Sequence, residues 1–441
     1  YRTPQGPRWF EKVTERIRVK GGAEETLEVK ETIWGPVIDA DHQGRPRAFA
    51  WTAHRVEGMN MRMMDLDGAR TLEEAMAVAN RSGIPPQNFV VADQAGRIGW
   101  TIMGRIPRRV GFDGRTPTSW ADGSRRWDGW LAPEEAPRVA DPPSGRIWTA
   151  NARVVDGEML AKVGDGGYAL GARARQIRDG LMKLEKATPR DLLAIQLDDR
   201  AVFLERWRDL LLRTLSPEAV KGHPERAELR RLVETTWTGR ASVDSAAYRA
   251  VRAFRNFAME EVFTPLSGQA GRPPEEIFGP TFQFEGPLWR ILTERPPHLL
   301  DPKYKSWDEK LLAAVDQQIG YYGERGGALA DRTWGERNTT RIGHPLSRAV
   351  PGAGRWLDVP ARPLPGDEDM PRVQGPDFGA SERLVVSPGN EAAGFFHMPA
   401  GQSGHPMSPY YYKGHEAWEE GRPTPFLPGP AVHRLRLTPR R

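Results

Sequence analysis

The chain has 441 residues, 39 % of them hydrophobic and 27 % charged, and this balance excludes a disordered protein and predicts a large globular one. Lys and Arg exceed Asp and Glu by five (63 against 58) without concentrating in a recognition pattern, which argues against nucleic-acid binding. The absence of cysteine excludes disulfides and thiolate nucleophiles, and no apolar run reaches the roughly 18 residues that a membrane-spanning helix needs.

The first 150 residues show the patterns of β-strands. Residues 14–19 and 26–32 alternate polar and apolar side chains, and the apolar run at 89–92 ends in a turn signal. One helix interrupts the strands, with Thr71 as its N-cap and Glu74 completing a capping box. This part of the chain is therefore predicted to be strand-rich.

The middle of the chain changes to a helical period. Between residues 171 and 262, leucine and aromatic side chains recur mostly at intervals of three and four residues. The pair Thr188 and Pro189 is typical of an N-cap followed by a first-turn proline. Proline-rich stretches at 272–300 and 359–376 are predicted to be ordered loops, because nearby aromatic residues would hold them in place.

Beyond Trp334 the pattern returns to short strands, at residues 383–386 and 395–398. The order strand-rich, helical, strand-rich predicts one core built from both ends of the chain, with a helical insertion between them. The predicted parts are 1–151 (strand-rich core), 152–330 (mostly helical insertion) and 331–441 (return to the core).

Four groups of motifs follow one another along the chain. They are WGPVI at 34–38, ADQAGRIGW at 92–100, WG at 334–335 with Asn338 and IGHPLS at 342–347, and GQSGHPMSP at 401–409 with WEEG at 418–421. Together, and in this order, they resemble the internal and closing motifs of the penicillin acylase family of N-terminal-nucleophile hydrolases. The chain is accordingly identified as similar to most of that family's catalytic β subunit.

The resemblance implies an α+β fold, the αββα sandwich of two antiparallel sheets packed face to face. It implies an amidohydrolase that cleaves the side-chain amide of β-lactams, N-acyl-homoserine lactones or related acylated small molecules. In the family, autocatalytic cleavage exposes a Ser whose hydroxyl attacks the amide while its own α-amino group acts as general base. The implied partner is an α subunit from the same precursor, and the implied location is the periplasm or the exterior.

The resemblance places the nucleophilic Ser outside this chain, further upstream of Trp34 than the 33 residues available. Tyr1 cannot replace it. Thr3 has a hydroxyl but no free α-amine to act as base. We therefore expect that this chain, a processed or truncated product, forms no acyl-enzyme by itself. The alternative is a non-catalytic fragment or relative that acts as a binding or assembly partner.

The catalytic residue that the resemblance assigns to this chain is Asn151. It follows the SGRIWTA stretch at 144–150, where the family has the donor that stabilises the tetrahedral oxyanion. Arg173, in GARARQI, resembles an arginine at the start of a helix that contacts substrate or positions the asparagine. Arg175 is a competing assignment, and a solvated helix face would also explain both arginines.

The acyl pocket is predicted to include Gln87 and Phe89, which precede the 92–100 motif, and Met64 from the methionine-rich stretch at 59–64. Methionines at this spacing are also typical of an ordinary core.

A structural Ca²⁺ is implied by the resemblance, and Asp156 or Asp165 would supply an oxygen ligand. No organic cofactor is expected. The histidines do not form a helical pair with an acidic partner and are interpreted as structural; those considered were His344, His397, His405 and His415.

Overall fold

A computed structural model describes residues 1–41, 43–164, 167–266, 284–324 and 326–439. The chain divides into two compact units. The first comprises Tyr1–Thr149 and Arg153–Gly167, and the second comprises Ala150–Ala152 and Tyr168–Arg441. Both helices and several small antiparallel sheets are present, so the α+β class is confirmed. The three-part division made from the sequence stays a prediction.

The first unit contains most of the strands. They are β1 (Arg2–Thr3), β2 (Gly6–Pro7), β3 (Glu11–Ile17), β4 (Glu25–Thr32), β5 (Gly35–Ala40), β6 (Pro46–Ala48), β7 (Gln87–Ala92), β8 (Ile98–Met103), β9 (Pro107–Val110), β10 (Arg126–Trp130) and β11 (Arg138–Ala140). They form a four-stranded sheet in the order β3-β4-β5-β6, a three-stranded sheet β11-β8-β7, and the hairpins β1-β2 and β9-β10. The strands predicted at 26–32 and 89–92 are confirmed, and the one predicted at 14–19 begins three residues earlier and ends two residues earlier, at Ile17.

Two α-helices accompany these strands, α1 (Leu72–Arg81) and α2 (Gly157–Val163). Thr71 caps α1 as predicted, since its hydroxyl accepts the N–H of Glu74 at 3.2 Å. The predicted capping box is not formed, because the Glu74 carboxylate accepts the backbone N–H of Arg70 and not that of Thr71. Helix α1 lies against β8 at Gly99. A Cβ there would stand 3.1 Å from both Leu72 and Met76, so glycine permits the close approach. This contact buries the apolar face of α1.

The second unit is mostly helical. Its helices are α3 (Ala172–Met182), α4 (Pro189–Gln196), α5 (Glu205–Thr214), α6 (Pro217–Val220), α7 (Pro224–Thr236), α8 (Ala246–Leu266), α9 (Glu285–Glu294), α10 (Trp307–Gly323), α11 (Trp334–Arg337), α12 (Pro345–Ala349), α13 (Gly354–Leu357) and α14 (His415–Glu420). The helical block is confirmed, and its core is formed around Trp207, Phe254 and Trp334. Among the described helices, none is long and apolar enough to cross a bilayer.

One loop prediction is wrong in part. Residues 285–294 form α9, because Pro287 lies in the first helical turn, where proline is tolerated, and Leu288 and Leu292 are buried against the helical core. Residues 267–283 lie outside the described residues. The other predicted loop, 359–376, is confirmed. The last predicted strands correspond to β12 (Arg383–Val385) and β13 (Phe395–His397), which pair with each other.

Candidate active site

The structure brings Asn151 and Arg173 together within the second unit. Nη2 of Arg173 donates a hydrogen bond to Oδ1 of Asn151 at 2.7 Å, and the backbone carbonyl of Asn151 accepts the N–H of Ala169 at 2.9 Å. Since a guanidinium carries donors alone, the contact fixes the orientation of the amide: Oδ1 faces the arginine and Nδ2 points away from it. Asn151 is exposed, and Nδ2 has no hydrogen-bond partner among the described residues. The amide thus exposes Nδ2 as an N–H donor, while Oδ1 bonds the Arg173 guanidinium.

The surroundings of Arg173 distinguish it from Arg175. It lies in the first turn of α3 and is half-buried. Burial lowers the pKa of its guanidinium, and the nearby carboxylates of Asp369 and Glu368 oppose that shift. Arg175, the competing assignment, is exposed and lies 3.7 Å from Asp179 on the same helix. The contact with Asn151 is therefore made by Arg173.

The acidic residues near Arg173 belong to the loop 359–376, which the WG and Asn338 motif holds in place. The indole N–H of Trp334 donates to the carbonyl of Gly366 at 2.9 Å. Nδ2 of Asn338, which is fully buried, donates to the carbonyls of Leu364 (2.8 Å), Gly366 (3.3 Å) and Gln374 (3.3 Å). The motif thus anchors the loop by its backbone.

Two carboxylates of this loop, the buried Asp367 and the half-buried Asp369, lie in contrasting environments. Asp367 accepts Nε of Arg252 at 2.5 Å and the Tyr248 hydroxyl at 2.7 Å. Burial alone would raise the pKa of Asp367, but the guanidinium and the hydroxyl outweigh it and hold the pKa below its ordinary value. Burial does raise the pKa of Asp369, despite the nearby Arg255 and Arg252 guanidinium groups.

The sequence analysis predicted this loop but assigned no role to its carboxylates. The motif at Trp334 and Asn338 was found, but motif spacing does not reveal which distant segment a motif holds.

The residues predicted to form the acyl pocket lie in the first unit. Gln87 is exposed at the start of β7, opposite Met103 of β8, and Phe89 is half-buried opposite Thr101. Met64 lies in the 3₁₀ helix Arg62–Gly68 and is 62 % exposed. Their roles stay predictions.

Of the two residues predicted to bind calcium, only Asp156 lies among the described residues. Asp156 is exposed and precedes α2 without capping it by a side-chain hydrogen bond, while Asp165 lies outside the described residues. Within the described ranges, no group of three or more histidine, aspartate or glutamate side chains is arranged to hold a metal ion. Calcium binding therefore stays a prediction.

The first residues of the chain form a small hairpin. The α-amino group of Tyr1 donates to the carbonyl of Arg8 at 2.8 Å, and the buried Thr3 hydroxyl donates to the carbonyl of Gly6 at 2.7 Å. Both groups are engaged with backbone oxygens. The expectation that neither residue serves as nucleophile or base stays a prediction.

The C-terminal motif is a structural element of the second unit. A Cβ on Gly401 would lie 1.7 Å from the carbonyl oxygen of Tyr410, so no side chain fits there, whereas a Cβ on Gly404 would meet nothing within 4 Å. Trp418 is 1 % exposed and donates its indole N–H to the carbonyl of Ala380 at 2.8 Å. The motif therefore fixes chain packing.

Comparison with known proteins agrees with the motifs. A model of the penicillin amidase family matches residues 1–431. Penicillin acylase 2 proenzyme from a Pseudomonas species (strain SE83) is 31 % identical over 94 % of this chain and 53 % of its own length. Acyl-homoserine lactone acylase QuiP from Pseudomonas aeruginosa is 27 % identical over 86 % of this chain and 49 % of its own length. The chain thus spans about half the length of these curated relatives.

Among solved structures, the thermostable penicillin G acylase from Alcaligenes faecalis shares the fold. The TM-score is 0.63 at 18 % sequence identity, over all of this chain and 84 % of that one. Together with the match along nearly the whole sequence, this confirms the family inferred from the motifs: the chain belongs to the penicillin amidase family.

Proposed function

We propose that this chain supplies the oxyanion-stabilising part of an N-terminal-nucleophile amidase that removes acyl groups from small amides. The observation that carries the proposal is the Asn151–Arg173 pair, in which a fixed amide presents an N–H donor that makes no hydrogen bond to the described residues. The family match and the names of the relatives support the reaction class. The proposed substrates are β-lactam side-chain amides, N-acyl-homoserine lactones and related acylated molecules.

In the proposed reaction, a Ser from the part of the precursor outside this chain attacks the amide carbonyl. Its hydroxyl proton passes to its own α-amine, which titrates near neutrality, and then to the departing amine. Negative charge develops on the carbonyl oxygen in the tetrahedral intermediate, and Nδ2 of Asn151 donates to it. Water then hydrolyses the acyl-enzyme and releases the acid.

Arg173 acts through Asn151 in this scheme. Its bond to Oδ1 keeps Nδ2 aimed in one direction, so little reorganisation is needed when the oxyanion forms. The positive charge also draws electron density toward Oδ1, which strengthens the opposite N–H as a donor. Arg173 is a positioning residue.

The remaining parts of the proposal rest on the family resemblance. The complete enzyme is proposed to form the αββα sandwich together with an α chain from the same precursor, in the periplasm or outside the cell. Gln87, Phe89 and Met64 are proposed to contact the acyl group. A Ca²⁺ near Asp156 or Asp165 is proposed as a structural ion and takes part in no step.

The test compares this chain with the full translation product of its gene. After incubation with phenylmethylsulfonyl fluoride, mass spectrometry should find one sulfonyl adduct on the N-terminal Ser of the processed product and none on this chain alone. An adduct on this chain alone would contradict the placement of the nucleophile. A processed product without an adduct would contradict the amidase proposal and favour a non-catalytic binding or assembly partner.

A further inference from the structure

The four-stranded sheet of the first unit has two chemically distinct faces. Residues directly opposite each other on antiparallel strands share a face, and Val13 lies opposite Val29, as Glu15 does opposite Leu27. The register therefore defines an acidic apolar face on β3 and β4, which comprises Glu11, Val13, Glu15, Ile17, Glu25, Leu27, Val29 and Glu31. The opposite face carries Lys12, Thr14, Arg16, Thr26, Glu28 and Lys30.

The apolar side chains of the first face are largely uncovered. Val13 is 37 % exposed, Ile17 is 48 % exposed and Leu27 is 52 % exposed. Alternation of apolar and polar residues along a strand normally marks the side that packs on a core, with the polar side toward water. Here the polar side faces water as expected, but the apolar side does so as well.

Strand β3 is also an edge strand. In the described residues it pairs with β4 alone, and all seven of its residues are exposed. A long exposed edge with apolar side chains invites pairing with another chain, and folded proteins usually cover it. The exposed edge and the exposed apolar face both indicate that another segment of protein packs here.

The charges on this face indicate the chemistry of the segment that packs on it. Among the described residues, Glu11, Glu15, Glu25 and Glu31 form no ion pair, and Glu11 lies directly opposite Glu31. Like charges directly opposite each other on a sheet are destabilising. On the other face Lys12 also lies opposite a like charge, Lys30, but there a diagonal ion pair between Lys12 and Glu28 at 3.1 Å offsets the repulsion. A partner that brings lysine or arginine to this face would relieve the repulsion between Glu11 and Glu31 and pair with Glu15 and Glu25.

We propose that, in the intact precursor, the acidic apolar face docks a segment of the protein from outside this chain, an apolar strip flanked by lysine or arginine. The length of the relatives supports this occupant, since about half of each lies beyond the match. A second copy of this chain is a less favourable occupant, because two-fold pairing would place the four glutamates of one face against the four glutamates of the other. The inference shares with the proposed function the premise of a longer precursor, but it does not depend on the chemistry at Asn151.

The first experiment measures hydrogen exchange at β3 and β4 in this chain and in the full translation product of its gene. The docked segment should slow exchange of the β3 amides at least tenfold in the full product, with the buried helix α8 as the internal reference. Equal exchange in the two proteins would overturn the proposal. If the product forms the sulfonyl adduct without this protection, the docking surface is rejected while the amidase proposal stands.

The second experiment compares matched double variants. Ile17→Lys with Leu27→Lys places two cations on the docking face, and Thr14→Lys with Thr26→Lys places two on the opposite face. In this chain alone both pairs should keep the parent Tm, because all four positions are exposed. In the full product the first pair should lower the Tm and abolish the protection of β3, whereas the second pair should change neither.

Two outcomes of the second experiment would overturn the proposal: equal behaviour of the two pairs in the full product, or a dimer of this chain in sedimentation that Ile17→Lys with Leu27→Lys converts to monomer.

Discussion

Asn338 should be one of the most sensitive positions for stability in this chain. Its side chain is fully buried, and Nδ2 donates to three carbonyls of the 359–376 loop, one at 2.8 Å and two at 3.3 Å. A buried hydrogen bond contributes about 1 kcal/mol net, and the two longer bonds contribute less, so Asn338→Ala should cost roughly 2 kcal/mol. Asn338→Asp should cost more, because a buried carboxylate would face carbonyl oxygens.

The assay is thermal and urea unfolding of this chain, followed by circular dichroism. At about 2–4 °C per kcal/mol for units of this size, Asn338→Ala should lower the Tm by roughly 4–8 °C. Asn390→Ala is the matched control, because Asn390 is exposed in the same unit and its side chain makes no hydrogen bond to the described residues. If the free energy of unfolding of Asn338→Ala stays within about 0.5 kcal/mol of that of the parent, the loop is not anchored as described.

Three further predictions concern neighbouring features. Gly401→Ala should lower the Tm in thermal unfolding because its Cβ would overlap a backbone carbonyl, while Gly404→Ala, which meets open space, should not. The pKa of Asp369 is raised in the folded state above its ordinary value of 3.8. The ionised carboxylate therefore destabilises the fold at pH values above the raised pKa, and this destabilisation vanishes below about pH 3.8. Asp369→Asn should therefore raise the Tm at pH 7 and leave it unchanged at pH 3, and an equal effect at both pH values would contradict this origin. Arg173→Met should lower kcat of the complete enzyme by roughly 10- to 150-fold, the worth of a charge-assisted hydrogen bond of about 1.5–3 kcal/mol, by releasing Asn151. KM should change little, and Arg175→Met is the control expected to keep parent kinetics.

The sequence predicted local features well wherever a short pattern has one physical solution. The apolar run at 89–92 and its turn signal correspond to β7 and the turn after it, and the caps at Thr71 and Thr188 follow from hydroxyl side chains before helical periods. Helix α9 was missed because proline content outweighed the short period at Leu288 and Leu292. Proline in a first turn does not prevent a helix.

The resemblance singled out Asn151 and favoured Arg173 over Arg175 as candidates, and the structure adds the hydrogen bond between Asn151 and Arg173. The acidic loop near Arg173 joins residues far apart in sequence, such as Tyr248 and Asp367, and local patterns contain no information on such pairs. The exposed sheet face likewise follows from strand register, which alternation alone does not specify.

The most direct test of the central claim is the kinetics of Asn151 variants in the complete, processed enzyme. Asn151→Asp keeps an oxygen for Arg173 to bond but removes the Nδ2 donor, and Asn151→Ala removes both. Loss of one oxyanion donor typically costs about 2.7–4 kcal/mol, so both variants should lose about 10²–10³-fold in kcat with little change in KM. Retention of parent kcat by Asn151→Asp, in an enzyme whose Ser still forms the sulfonyl adduct, would contradict the role assigned to Asn151.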